Sequence, residues 1–275
     1  MVRTKDPLSL LLRALVWMAA AVTAAVLILL VGYIFVKGIP NLSPELFAWK
    51  YTSDNCSMTP ALVSTVAMTL LALLIATPLG IFAAIYMTQY ASGSSRLVKV
   101  VRLTSETLSG IPSIVYGLFG FLFFLTQLGW GYSLLSGACT LAIMILPLIM
   151  RTTEEALLAV DPMYREGSFG LGAGRLRTVF RIVLPSAIPG ILSGIILAVG
   201  RIVGETAALM YTAGTVANLP EGLFTSVRTL SVHMYVLSCE GLHIDQAYAT
   251  AAVLLAVVAG INALSSWVAK RITKG

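Results

Sequence analysis

The chain has 275 residues, of which 58% are hydrophobic and 11% charged, and its formal net charge is +6. A soluble domain of this size normally carries about 25% charged residues, so the composition excludes an ordinary water-soluble protein and indicates that lipid covers most of the surface. The positive charge does not indicate nucleic-acid binding, because no basic stripe or RNA-binding motif accompanies it. In membrane proteins, such an excess of Lys and Arg usually lies in cytoplasmic loops.

Six apolar segments are long enough to cross a membrane, since about 20 residues of helix span a hydrocarbon core of roughly 30 Å. The predicted spans are 14–36, a second within 61–90 that is interrupted by Pro78, 107–126, 132–150, a fifth from after Pro185 to about Tyr211, and 247–269. The uncharged run 107–150 is too long for one crossing, and we divide it at the turn 127–131. These lengths fit helices rather than strands of about 10 residues. We therefore predict an all-α polytopic membrane protein.

The basic residues predict how the chain is oriented in the membrane. Fourteen Lys and Arg lie in the tails, the loop between the second and third spans, and the loop 151–185, whereas three lie in the loops 37–60 and 213–246. Because cytoplasmic loops carry the excess of positive charge, we expect both termini and the loop 151–185 to be cytoplasmic. The loops 37–60 and 213–246 are then the first and second outer loops.

The outer loops contain residues that are open to two interpretations. Cys56 and Cys239 lie one in each outer loop, on the oxidising side, so they either form a disulfide or remain two free thiols. Cys139 lies within a span and is expected to serve packing. His233 and His243 have no metal-like partners, so we expect them to be solvated. No CxxC or HExxH spacing is present, and we predict no metal site.

The loop 151–185 has an internal organisation of its own. Asp161 and Pro162 are suited to the cap and first position of a helix, because proline lacks the donor that a first turn cannot use. Gly172 and Gly174 permit a tight turn, after which a second helix leads into the fifth span. The pattern predicts a short helix–turn–helix that projects from the bilayer and offers a surface to a partner.

This loop resembles the EAA loop of ATP-binding-cassette importer permeases, in which EAA, three residues, Gly and nine further residues precede I-x-L-P. Here Glu166-Gly167-Ser168 takes the EAA place, Gly172 follows after three residues, and Ile182-Val183-Leu184-Pro185 follows after nine. Gly167 and Ser168 replace the two alanines, and glycine is expected to loosen the first helix by about 1 kcal/mol. The resemblance implies that this helix docks on a cytoplasmic ATPase. The implied docking residues are Tyr164, Arg165, Glu166, Gly167, Ser168, Phe169, Gly170, Leu171, Gly172 and Ala173.

The source of energy must lie in another chain if the resemblance holds. The sequence contains no Gly-Lys dipeptide and therefore no GxxxxGK[ST] phosphate loop. We expect no cofactor on this chain, with ATP and Mg bound by the partner ATPase.

The fifth predicted span contains two opposite charges, Arg201 and Glu205. Four residues apart on one continuous helix, they would lie on one face and could pair. Arg201 would lie about 24 Å beyond Pro185, in the outer half of the membrane. Charges inside membranes usually mark a pathway, and the planar fork of arginine suits an oxyanion. The two interpretations are substrate handling and a fixed ion pair that locks helices together.

The segment 200–214, GRIVGETAALMYTAG, resembles the fifth span of phosphate-importer permeases, and more closely the A-type (PstA) group than the C-type. The segments 109–120, 151–158 and 228–235 agree with this resemblance. It implies a type I importer (MetI-like) fold, with one permease domain over 1–275, a core at 59–270 and the first span reaching around a sister subunit. The implied partners are a sister permease, two copies of an ATPase and an extracytoplasmic phosphate-binding protein, in a bacterial inner membrane.

The same resemblance gives candidate pathway residues, namely Arg201, Glu205, Thr206 and Ser113. Ser113 follows Gly110-Ile111-Pro112, which interrupts a span and frees backbone donors; such breaks either line a path or are packing kinks. A same-fold permease for sulfate, molybdate or phosphonate, or the C-type sister, remains an alternative. A membrane enzyme is the alternative of another class, and it would need paired carboxylates, a nucleophile with its base or metal ligands within the spans.

Overall fold

The computed structural model describes residues 7–91 and 95–273, and this part of the chain is helical without β-strands. Of the basic residues used to predict orientation, Arg3, Lys5 and Lys274 lie outside the described residues. The helices are α1 Pro7–Gly38, α2 Thr59–Ile85, α3 Arg96–Ser109, α4 Ser113–Gly120, α5 Leu134–Leu158, α6 Pro162–Gly170, α7 Arg175–Thr178, α8 Leu184–Val203, α9 Ala207–Thr212, α10 Leu230–Glu240 and α11 Ile244–Thr273. Wider π turns extend α2 to Tyr90 and α4 to Gln127 and join α7 to α8.

Five continuous helical segments are long and apolar enough to cross a membrane, and they correspond to predicted spans 1, 2, 4, 5 and 6. The remaining span is a bent pair, in which Arg96–Ser109 and Ser113–Gln127 meet at 104°. The predicted third span 107–126 is therefore wrong at its start. The residue before a proline avoids helical geometry and proline donates no hydrogen bond, so the helix ends before Pro112 and begins again at Ser113.

Three other expectations about the helices need correction. α5 continues to Leu158, so residues 151–158 of the predicted cytoplasmic loop belong to a membrane helix. Pro78 lies inside α2 without interrupting it. The fifth span also ends earlier than predicted, as described below.

α5 is the centre of the fold and packs against α2 on one side and α8 on the other. Small residues permit this close approach, since Ala72 and Ala76 of α2 and Ala138 and Ala142 of α5 belong to one buried cluster. A second cluster joins the ends of α2 and α5 to α3, to the π turn after α7, and to α8. A third joins the two outer loops through Leu46, Met58 and α10.

α1 differs from the other long helices because its apolar surface is almost entirely exposed. Within this chain it packs against α11, where Tyr33 and Tyr248 meet edge to face with ring centroids 5.8 Å apart. A helix that is apolar on all sides requires lipid or another protein around it. This arrangement is compatible with a first span that reaches a sister subunit.

Candidate substrate pathway and coupling loop

A helix break lies where the two charges of the fifth span were expected to pair. α8 ends at Val203 with Gly204 as its C-cap, and α9 begins only at Ala207. The Glu205 carboxylate accepts a hydrogen bond from the backbone N–H of Ala208 at 3.0 Å and so caps α9. The prediction that Arg201 and Glu205 share one helix face is therefore wrong, because Gly204 ends the helix between them and Glu205 is used by the next one.

Arg201 is consequently left with free donors. It is half-buried in the last turn of α8, where a positive charge is favoured by the helix dipole. Among the described residues it has no ion pair and no side-chain hydrogen bond; the ion pairs there are Arg102–Glu154 and Arg151–Glu155. Its charge acts on the phenol of Tyr116 in α4. An unpaired arginine inside a membrane-spanning helix indicates a polar pathway or a partner outside the chain.

The start of α4 lies beside the same break. α4 and α9 run parallel with their backbones in contact, since Gly117 faces Ala208 and Gly120 faces Thr212. A Cβ at Gly117 would lie 2.9 Å from the Cα of Ala208. Ser113 is the first residue of α4, one turn before Gly117, and its place in a pathway stays a prediction. The break itself brings together Arg201 at the end of α8, Glu205, and Thr206, the half-buried N-cap of α9.

The second outer loop braces the break, which the sequence did not predict. The hydroxyl of Ser231 in α10 donates to the backbone carbonyl of Glu205 at 2.6 Å. The neighbouring N–H of Leu230 donates to the hydroxyl of Thr65 in α2 at 2.8 Å. Polar residues at the start of α10 were the only signal, and they carry no information about their partners.

The outer loops also contain buried polar residues where solvated ones were expected. His233 is fully buried, with Nε2 3.2 Å from the carbonyl of Cys56. Arg228 is 4% exposed, and its guanidinium lies 4.5 Å from the ring centroid of Tyr51. Burial, followed by the charge of Arg228, lowers the pKa of His233 to about 3. The expectation of a solvated His233 is therefore wrong, because the two outer loops fold onto each other and enclose it; His243 is half-buried.

The two outer-loop cysteines are free thiols in the structure. Cys56 is fully buried, and its Sγ lies 3.3 Å from the carbonyl oxygen of Ser53. Burial is the main cause that raises the pKa of the Cys56 thiol. Cys239 is exposed on α10. The structure therefore corresponds to the alternative of two free thiols rather than to the disulfide.

The coupling loop, residues 161–178, has the predicted helix–turn–helix form. The Asp161 carboxylate accepts a hydrogen bond from the N–H of Met163 at 2.9 Å, and Pro162 is the first residue of α6. Gly172 adopts a φ of +82°, which glycine reaches without strain, and α7 then begins at Arg175. Among the predicted docking residues, 164–170 lie on α6 and 171–173 form the turn.

The first helix and the turn of this loop expose several large apolar side chains. Leu171 in the turn is 91% exposed, and Met163, Tyr164 and Phe169 are exposed on α6. Large apolar side chains exposed within nine residues suit a surface that another protein covers. We call the four residues Met163, Tyr164, Phe169 and Leu171 the docking face.

The residues that depart from the EAA pattern do not break α6. Helix α6 continues through Gly167 and Ser168 to Gly170. Ser168 is buried, and its hydroxyl lies 2.8 Å from that of Thr178 in α7. Arg165 donates from Nη2 to the carbonyl of Leu157 at 2.7 Å. The helix that was expected to be loosened is thus tied to both α5 and α7.

Comparisons with known proteins agree with this architecture. Residues 76–275 match the family described as binding-protein-dependent transport system inner membrane component. The chain is 34% identical to the probable ABC transporter permease protein YqgI of Bacillus subtilis, over 94% of this chain and 93% of that protein. It is 32% identical to the phosphate transport system permease protein PstA 2 of Mycobacterium tuberculosis, over 76% of this chain and 70% of that protein.

A solved structure shows the same fold. An inward-facing structure of the MetNI methionine ABC transporter superposes with a TM-score of 0.60 at 20% identity, covering 76% of this chain and 93% of that chain. The predicted MetI-like importer fold is confirmed.

Proposed function

This chain belongs to the binding-protein-dependent transport inner membrane component family, and we propose that it forms half of the membrane pathway of an importer for inorganic phosphate. It is a multi-pass permease subunit of an ATP-binding-cassette importer rather than an enzyme, and a separate ATPase chain hydrolyses the ATP. The substrate is the part that we propose. The unpaired Arg201 at the α8–α9 break is the observation that carries it.

The geometry of the break supports an oxyanion as the cargo. Arginine stays charged at any physiological pH and donates two parallel hydrogen bonds to an oxyanion. Because Glu205 caps α9 instead of pairing with Arg201, those donors are free for a passing anion. Ser113, the first residue of α4, is proposed to offer a further hydrogen bond from its hydroxyl. Phosphate in particular is supported by the similarity to proteins named phosphate transport system permease protein PstA.

The exposed surfaces support the partners that we propose. The docking face on the coupling loop suits one of two ATPase copies, which would bind ATP and Mg. The exposed α1 suits contact with a sister permease. An extracytoplasmic binding protein would deliver phosphate to the outer loops, and the complex would lie in a bacterial inner membrane.

Uptake by the reconstituted complex tests the substrate. Liposomes containing the permease pair and the ATPase are supplied with the matching binding protein, ATP inside and radiolabelled phosphate outside. We expect ATP-dependent uptake of saturating labelled phosphate that a tenfold excess of unlabelled phosphate lowers about tenfold and an equal excess of sulfate, molybdate or phosphonate does not. Uptake of sulfate without phosphate would refute the phosphate assignment while leaving the importer architecture intact.

A further inference from the structure

The coupling loop contains a buried hydroxyl chain that the family pattern does not include. Thr178 donates its single hydroxyl hydrogen to the carbonyl of Gly174 at 3.2 Å. The 2.8 Å contact between the Ser168 and Thr178 hydroxyls must therefore be donated by Ser168. Both residues are buried, Ser168 being 5% and Thr178 1% exposed. In the EAA pattern an alanine occupies the position of Ser168 and cannot make this bond.

The turn between α6 and α7 is open on the side of its glycines. A Cβ at Gly170, Gly172 or Gly174 would meet nothing within 4 Å. Backbone bonds such as Ala173 N–H to the carbonyl of Ser168, 3.1 Å, shape the turn itself. A glycine-rich turn that is open in this way would act as a hinge, and the side-chain bond between Ser168 and Thr178 spans it.

Thr178 lies near the start of a long helical segment, Arg175–Val203, which we call the α7–α8 lever. α7, the π turn and α8 form one continuous helical segment, Arg175–Val203, of 29 residues. At 1.5 Å per residue it is about 43 Å long. Its first turns carry Thr178 and its last turn carries Arg201. A displacement of α7 therefore moves the segment that positions Arg201.

We propose that Ser168 and Thr178 are positioning residues, whose hydroxyl bond transmits movement of the ATPase-docked helix α6 to the α7–α8 lever and hence to Arg201. Without the bond, α6 would rock about the glycine turn while α8 stays in place. ATP hydrolysis would then continue with less transport. The Arg165 bond to Leu157 ties α6 to α5 in parallel, so removal of the hydroxyl bond weakens the transmission rather than abolishing docking. This inference rests on the proposed role of the coupling loop in ATPase docking.

The test compares Ser168→Ala and Thr178→Val with wild type in proteoliposomes, using whichever anion the wild type imports. Ser168→Ala is suited to the test because alanine is the better helix former, so α6 does not melt. We expect normal ATPase co-purification, ATP hydrolysis within about twofold of wild type, and anion imported per ATP reduced about fivefold, the order of effect of one buried hydrogen bond. Thr178→Ser keeps the hydroxyl, so we expect it to import as much anion per ATP as the wild type does.

The matched control is Ser186→Ala on the same lever. The Ser186 hydroxyl is exposed and bonds only to the carbonyl of Ile182 in its own helix, so its removal should leave the ratio unchanged. An unchanged ratio in both Ser168→Ala and Thr178→Val would overturn the proposal. A parallel loss of hydrolysis and transport in Ser168→Ala, Thr178→Val and also Thr178→Ser would overturn it too, since that is the result of a purely structural role. If phosphate is the wrong substrate, the wild-type complex fails to import phosphate, and this result is independent of the comparison between variants.

Discussion

The helical segment from Arg175 to Val203 has contrasting surroundings at its two ends. At the coupling loop Ser168 and Arg165 form hydrogen bonds within the chain, although the buried Nε of Arg165 has no partner among the described residues, and apolar side chains are exposed. At the α8–α9 break the apolar groups pack within the chain, and the guanidinium of Arg201 is left without a partner. The exposed apolar surface of the coupling loop suits a protein partner. The polar site at the break, with the free guanidinium of Arg201, suits a transient ion.

Charging the docking face should have the largest effect at the coupling end. The double change Phe169→Asp and Leu171→Asp places two carboxylates in a surface that the ATPase would bury, and burial of an unpaired charge is strongly unfavourable. We expect the affinity for the ATPase to fall at least about 100-fold, while the permease itself folds normally because both side chains are exposed. A binding isotherm with purified ATPase measures this.

Leu242→Asp provides the control for that experiment. Leu242 is an equally exposed leucine, but it lies in the second outer loop. The Leu242→Asp variant should bind the ATPase as tightly as the wild type does. Normal ATPase binding by the double variant would show that this face is not the docking surface.

Separation of α4 from α9 should have the next largest effect, at the opposite end. Gly117→Val adds a side chain whose Cβ would lie 2.9 Å from the Cα of Ala208, and overpacking of this kind is destabilising by about 1–3 kcal/mol. We expect a lower melting temperature and reduced anion uptake, with ATPase binding retained. Gly260→Val is the control, since a Cβ there meets nothing within 4 Å. Equal melting temperatures in the two variants would contradict the close contact of α4 with α9.

The effect that is smallest at neutral pH concerns the outer loops that brace the break. The pKa of His233 is about 3 in the folded chain, against an ordinary value of 6.5, so the native state keeps it neutral. A depressed histidine pKa means that stability is complete above pH 6.5 and declines as the pH falls toward 3, by about 1.4 kcal/mol per pH unit. Melting temperatures between pH 7 and pH 4 should show a shallower decline for His233→Gln than for wild type. His243→Gln should follow wild type, and identical slopes for all three proteins would contradict a buried neutral His233.

The coupling loop could be predicted from the sequence because its determinants are local. Asp161 and Pro162 start α6 and Gly172 turns the chain, and each acts on its immediate neighbours. The same locality let Gly110 and Pro112 signal the break before α4. The hydrogen bond of Ser168 could not be predicted, because its partner Thr178 comes close only when the turn has folded.

The α8–α9 break was harder because the composition of the fifth span stays apolar across it. Gly204 was the only local signal, and an isolated glycine is often tolerated within a helix. The expected pairing of Arg201 with Glu205 depended entirely on an unbroken helix. The burial of Arg228 and His233 depends on contact between two loops far apart in sequence, which hydropathy along the chain does not encode.

The most direct test of the open polar site is ATP-dependent phosphate uptake by complexes that carry Arg201→Ala, Arg201→Lys or Arg151→Ala. Arg151 is the matched arginine, because it lies in an exposed pair with Glu155, and such pairs contribute little. We predict that Arg201→Ala abolishes uptake with the complex assembled, that Arg201→Lys retains only part of it because the bidentate fork is lost, and that Arg151→Ala transports like wild type. Wild-type phosphate uptake by Arg201→Ala would contradict the account and reduce Arg201 to a helix-end charge.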